Sequence, residues 1–150
     1  MVKQPASSIW QTLLLITTIM LLTLGCAKTP APRDQLYQQL GGKAGLEQLV
    51  DGILVAIEQD QQIVHHFKDT DIERFRRLLI EQLCQLAGGP CQYTGASMQE
   101  SHTGFHITPA DFDNLVNHFI QVMTAQHIPV ATQNALLAKL APMYSDVINR

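Results

Sequence analysis

GGPCQYTGASMQESHTGFHI, residues 88–107, is the stretch on which the fold turns. It carries four glycines and no sustained apolar period, yet it separates two segments with clear helical patterning. Before it, Ile72, Phe75, Leu79, Leu83 and Leu86 recur at helical spacing, opened by an N-cap candidate at Thr70 or Asp71. After it, Phe112, Leu115, Val116, Phe119 and Met123 do the same, with Thr108 as cap and Pro109 at the first helical position. Further out lie a stripe of Leu46, Leu49, Val50, Ile53, Leu54 and Ile57 and another of Leu136, Leu137, Leu140, Tyr144, Val147 and Ile148. No run alternates with period two, so the domain reads as all-α. A plain bundle joins its helices by about 2–8 residues, and this connection is far longer. Long ordered connections usually carry function. Four short stripes around one suggest that something besides side chains fills the interior.

Composition narrows the function classes. At 150 residues the chain is one domain, with room for an address segment. A charged fraction of 15% against 46% hydrophobic residues excludes a disordered chain. Ten basic and thirteen acidic residues leave a net charge of −3, with no surplus to neutralise phosphates, so nucleic acid is not an expected partner. G-x-S-x-G, G-K-[ST], H-E-x-x-H and C-x-x-C-H are all absent, which removes support for esterase-type hydrolases, P-loop enzymes, zincins and c-type cytochromes. His102 stands in the long connection with Met98 one turn before it and Phe105 and Ile107 after it. That pattern suits a one-sided metal or haem ligand, and equally a surface or structurally satisfied histidine.

The ordered landmarks settle the choice by resemblance. LYQQLGG (36–42), FKDTD (67–71), GGPCQYTG (88–95) and MQESHTGFHITPADF (98–112), followed by Pro142-Met143, resemble the group 1 truncated haemoglobins over about residues 34 to 150. The resemblance implies a globin-like two-over-two helical sandwich around b-type haem, with glycine pairs positioning helices and a very short helix presenting the proximal histidine. His102 then corresponds to the iron ligand and Phe67 to the phenylalanine wedged against the haem. Phe75, Leu79, Met98, Ile107, Phe112 and Val116 correspond to haem-wall positions. Tyr93 and the cluster of Arg74, Arg76 and Arg77 could meet the propionates, or the arginines could form a solvated helix face. Burying a porphyrin contributes on the order of 10 kcal/mol before binding costs.

The chain departs from the family on the distal side. Leu54 falls where many members carry a tyrosine, and Phe75 and Leu79 fall where they carry glutamines; Gln82 is the remaining polar candidate for the distal pocket. A missing donor forfeits roughly 1–3 kcal/mol of charge-assisted hydrogen bonding to bound O₂, which predicts faster O₂ loss and weaker discrimination against CO. His65 and His66 flank Phe67 and offer a route to six-coordinate iron, but Leu78 replaces the histidine that some relatives use.

Three cysteines cannot all pair. Cys26 follows an uncharged apolar run, Ile9 to Leu24, that is short for a membrane span of about 20 residues. With Leu24-Gly25 before it and the Pro-rich AKTPAPRD after it, Cys26 resembles the lipidation site of a bacterial lipoprotein, although Thr23 stands where a leucine is usual. Residues 1–25 are then a signal peptide, 26–33 a lipidated spacer and 34–150 the globin domain. An uncleaved anchor helix is the alternative. Either version places the domain in the cell envelope, facing periplasm or exterior, and Ala27 favours outer-membrane sorting. In that oxidising setting Cys84 and Cys91 could close a short disulfide loop worth roughly 2–3 kcal/mol, or remain free thiols.

The sequence therefore reads as a lipid-anchored truncated haemoglobin binding O₂, NO or CO, with an external reductase as partner. Nitric-oxide dioxygenation and peroxidase-like turnover are alternatives that belong to the same cofactor. A haem-free helical interaction module and a two-ligand electron-transfer protein are the rivals from other classes.

Overall fold

A computed structural model describes residues 33–148 and 150. The signal segment, Cys26 and the spacer as far as residue 32 lie outside the described residues. All regular structure among the described residues is helical. α1 is Gln35–Gln39, α2 Gly42–Gln59, α3 Ile72–Leu86, α4 Met98–His102, α5 Pro109–Ala125, α6 Val130–Leu140 and α7 Tyr144–Val147, with 3₁₀ turns at Val64–Phe67 and Ala141–Met143.

The first stripe of the sequence is the centre of the core. Leu46, Leu49, Val50 and Ile53 of α2 are fully buried, because α2 packs against both α3 and α5. Gly52 permits the approach of α5: a Cβ there would lie 2.6 Å from Val122 Cγ1. Leu83, Met123 and Leu136 complete the layer from α3, α5 and α6.

The helix ends follow local chemistry. Asp71, not Thr70, caps α3, its carboxylate accepting from the Arg74 backbone N–H at 3.0 Å. Thr108 and Asp111 form a reciprocal capping box on α5, with Pro109 in the first turn. The fourth stripe divides: α6 stops at Leu140, and Pro142 sits in the 3₁₀ turn before α7. Proline lacks the N–H needed to continue an α-helix, so the apolar face is kept while the axis breaks.

Past α3 the chain turns at Gly88, whose φ of +82° is open to glycine and strained for other residues. A Cβ there would also strike the Arg33 carbonyl oxygen. Three residues on, Cys91 is bonded to Cys84 with a Cα–Cα separation of 5.7 Å. Of the two alternatives for this pair, the structure has the disulfide. It staples the end of α3 to the segment that leads into α4.

Candidate functional site

α4 is only five residues long, too short to be stable on its own. It is held by its N-terminus: Ser97 Oγ accepts from the Glu100 N–H at 3.2 Å, and Glu100 Oε2 accepts from the Ser97 N–H at 2.9 Å. The Ser97 hydroxyl, which donates to Glu100 Oε2 at 2.7 Å, and then the Ser97 N–H keep the Glu100 carboxyl below its ordinary range. Just upstream, the Tyr93 hydroxyl donates to the Ala96 carbonyl at 2.9 Å, and the Tyr93 N–H donates to Gln85 Oε1 on α3 at 2.7 Å. The last residue of α4 is His102. Its Nδ1 lies 2.6 Å from the Met98 carbonyl oxygen. A carbonyl only accepts, so Nδ1 carries the proton, and in the neutral ring the lone pair is on Nε2.

His102 lines a cavity of about 630 Å³. That volume lies within the range of about 300–1,000 Å³ typical of small-molecule and cofactor sites. One face of α3 supplies Phe75, Leu78, Leu79 and Gln82. One face of α5 supplies Phe112, Leu115, Val116 and Phe119. Phe67 joins the α3 face, its ring 5.3 Å from that of Phe75. Met98 and Ile107 flank His102, and Leu140, Met143 and Val147 close the lining from the C-terminal segments. The polar lining residues Asp69, Asp71 and Arg74 are exposed and mark a rim, which Tyr93 also borders.

Most residues expected at the site from the sequence are brought together here: His102, Phe67, Phe75, Leu79, Gln82, Tyr93, Met98, Ile107, Phe112 and Val116 all line the cavity. Leu54 does not. The lining residue from α2 is its neighbour Ile53, while Leu54 packs half-buried against the core. One residue turns a helix by about 100°, enough to exchange a cavity wall for a core contact. Gln82 lines the cavity with its amide engaged: Nε2 donates to Met98 Sδ at 3.1 Å and reaches Met143 Sδ at 3.6 Å. The face of α3 beside Phe67 is thus apolar, as expected.

The arginine cluster separates. Arg76 is bonded to Asp51 on α2, at 2.9 Å for its Nη2, and Arg77 to Glu81 at 2.7 Å. Their partners draw both away from the cavity, and only Arg74 lines it. The flanking histidines separate too. His66 lines the cavity, with Nε2 3.4 Å from Asp111 Oδ2, while His65 does not. Asp111 is held down at about 2, first by the Thr108 hydroxyl and backbone N–H, then by Gln62 and His66. As a carboxylate it only accepts, so His66 Nε2 donates.

Sequence reasoning missed Ile53, Asp111, Leu115, Phe119, Leu140, Met143 and Val147 as lining residues. Leu115 and Phe119 were legible in principle, since they share a helical face with Phe112 and Val116. His66 and Asp111 meet across 45 residues, and no local pattern announces that contact.

Together these features make a cavity that can hold a largely apolar group against the His102 imidazole. His102 has a free imidazole nitrogen on one side, an apolar wall of α3 stands on the other, and the charged lining residues are exposed except Asp111, which Thr108 and His66 hold. The sequence pattern of the bacterial-like globins matches residues 35–149. A group 1 truncated hemoglobin of Mycolicibacterium paratuberculosis is 30% identical over 112 residues, covering 75% of this chain and 82% of its own. Another, from a Nostoc species, is 29% identical and covers 77% of this chain and 98% of its own. Among solved structures, the truncated hemoglobin of Tetrahymena pyriformis in its Fe(III) form superposes with a TM-score of 0.74 at 23% identity, over 77% of this chain and 98% of that one. The hemoglobin of Chloroflexus aurantiacus does so with a TM-score of 0.66 at 24% identity, over 77% and 98%. With this fold, this cavity and these relatives, the chain belongs to the bacterial-like globin family, among the group 1 truncated haemoglobins.

Proposed function

We propose that the chain holds b-type haem through His102 and reversibly takes O₂, NO or CO beneath the apolar wall of α3. The observation that carries this reading is His102 itself. Its Nδ1–H is committed to the Met98 carbonyl, which fixes the ring orientation and leaves Nε2 as the ligating atom on a cavity-lining side chain. Such a second bond on a metal-ligating histidine also raises its basicity.

When bound, haem supplies an iron atom with one coordination position for a diatomic molecule. The chain's own residues do the rest. Phe67 and Phe75 stack as a tilted pair on one side of the cavity. Ile53, Leu78 and Leu79 keep water from that side, and no carboxylate among the lining residues belongs to α2 or to the body of α3. Gln82 spends its donors on thioethers and has little left for a ligand. Arg74 stands at the rim, where propionate carboxylates would meet its charge, while the Tyr93 hydroxyl is committed to the Ala96 carbonyl.

The test is an absorption spectrum of the purified protein reconstituted with haem. A Soret band that is lost or displaced in His102→Ala, together with ferrous spectra that change on adding O₂, NO and CO, is the expected result. A Soret band unaltered by His102→Ala would refute ligation by this residue.

We also propose tethering of the domain to the bacterial cell envelope by lipid on Cys26, facing periplasm or exterior. The support is the uncharged run from Ile9 to Leu24, the Leu24-Gly25-Cys26 junction and the Pro-rich segment after it, together with a Cys84–Cys91 disulfide of the kind that persists in oxidising compartments. Metabolic labelling with a fatty acid, abolished by Cys26→Ser, checks it; labelling that survives the substitution argues against it.

A further inference from the structure

The five-residue α4 is too short to hold its own direction, so the aim of His102 is set from outside it. The chain reaches α4 through a strap, residues 88–96, that runs back along α3. The Gly89 N–H donates to the Cys84 carbonyl at 2.8 Å, Cys91 is bonded to Cys84, and the Tyr93 N–H donates to Gln85 Oε1 at 2.7 Å. The last anchor before the Ser97 cap is Glu81. Its Oε2 accepts from the Thr94 N–H at 3.1 Å and from the Thr94 hydroxyl at 2.7 Å, and its Oε1 accepts from Arg77 Nη1 at 2.7 Å. Arg77 Nη1 also donates to Thr94 Oγ1 at 3.3 Å, which closes a ring of three residues.

We propose that Glu81 is a positioning residue for His102: oriented by Arg77 and holding Thr94 at two donors, it sets where α4 begins and so where His102 Nε2 points. The assignment rests on the haem reading above, and Glu81 itself does not line the cavity.

Magnitudes single out Glu81 among the anchors. The disulfide is covalent, but it pins Cys91, three residues further from α4 than Thr94. Gln82 reaches α4 directly, but as a neutral amide donating to the thioether of Met98, a weak acceptor. The Tyr93–Gln85 bond is also neutral. Glu81 offers a charged acceptor, and charge-assisted bonds are roughly twice as strong as neutral ones. The Thr94 hydroxyl, then Arg77, hold its carboxyl below the ordinary range. Short links then carry the position of Thr94 onward. The Tyr93 hydroxyl fixes the Ala96 carbonyl, Ser97 and Glu100 close the capping box, and the Met98 carbonyl holds His102 Nδ1. The far end of α4 is held separately: α4 packs against α7, and the His106 N–H donates to the Arg150 carbonyl at 3.1 Å. Without Glu81, α4 is free to pivot about that end.

The experiment compares Glu81→Leu, Glu81→Gln and Thr94→Val with Asp51→Asn, which weakens the pair with Arg76 on the same helix and touches nothing in the strap. Amide hydrogen exchange at Glu100 and Ser101 is read in the CO-bound ferrous chain. The iron–histidine stretching band is read by resonance Raman in the unliganded ferrous chain. Glu81→Leu is expected to speed exchange at both amides about 5- to 10-fold, the range left to a hydrogen bond with a charged, partly exposed group. It also shifts or broadens the iron–histidine band. Glu81→Gln keeps an acceptor and Thr94→Val keeps the N–H, so both fall between Glu81→Leu and the parent. They decide the matter if Glu81→Leu fails to fold. Asp51→Asn changes neither readout. Exchange within twofold of the parent in all three strap variants overturns the proposal, as does a band that none of them moves. Equal acceleration by Asp51→Asn also overturns it, since that marks a general loss of stability. An absent Soret band, or one unaltered by His102→Ala, refutes the haem reading instead, and exchange in the haem-free chain then decides the role of Glu81.

Discussion

Leu79→Gln is the substitution that bears most directly on the distal side. Leu79 lies on the cavity-lining face of α3, one turn beyond Phe75 and half-buried. Leucine and glutamine are similar in length, so the amide enters at little steric cost, and its carbonyl and NH₂ then face a wall of Ile53, Phe67, Phe75 and Leu78. Those neighbours offer the new amide no partner, and Gln82 is already held by Met98 and Met143. The amide therefore has bound O₂ as its natural acceptor. A hydrogen bond to a partly charged oxygen is worth about 1–3 kcal/mol, or roughly 5- to 150-fold in the O₂ dissociation rate. CO carries little charge and gains far less, so the O₂-to-CO affinity ratio rises with it. Stopped-flow dissociation of O₂ and CO from the reconstituted protein measures both. An O₂ dissociation rate within twofold of the parent protein would refute the reasoning, and so would equal slowing of O₂ and CO. The same substitution lowers stability by about 1–3 kcal/mol in the haem-free state, where the buried amide has no ligand to meet.

Three further outcomes follow from the fold. Replacing Cys84 and Cys91 together by alanine, or reducing their bond, removes a loop closure worth about 2.5 kcal/mol by chain entropy; the urea midpoint falls accordingly, and a change under 0.5 kcal/mol would show that the loop is held by its other contacts. Asp111 ionises at about 2 instead of its ordinary 3.8, so the stability it confers is complete above pH 3.8 and is lost as pH falls through 2. Asp111→Asn therefore flattens the acid limb of a pH–stability curve in that window, and an unchanged curve would remove the α5 capping box as its cause. Gly52→Val places a branched side chain against Val122, where even a Cβ approaches to 2.6 Å, and costs about 1–3 kcal/mol in thermal or urea unfolding.

How much of this was legible in the sequence depends on the range of the interaction. Features set within one or two turns were legible: the caps at Asp71 and Thr108, the stripes of α2, α3 and α5, and the helical turn that sets Met98 beside His102. Leu54 marks the boundary. A sequence match places it where a tyrosine points at the ligand, but the rotation of α2 is fixed by burial of Leu46, Leu49, Val50, Ile53 and Ile57 together. That collective optimum turns Ile53 to the cavity. The arginines fail for a related reason: Arg76 and Arg77 are drawn to Asp51 and Glu81, and the first of these lies on another helix. His66 and Asp111 could not have been paired at all, because their contact exists only after α5 has docked beside the 3₁₀ turn. The consequence for function is specific. The side of the site that carries His102 is built from local chemistry, five residues closed by a capping box and one histidine-to-carbonyl bond. The side that selects the ligand is built from long-range packing. Under the proposed function, ligation by His102 rests on the first alone, so packing changes on the second can shift the preference among O₂, NO and CO without disturbing it.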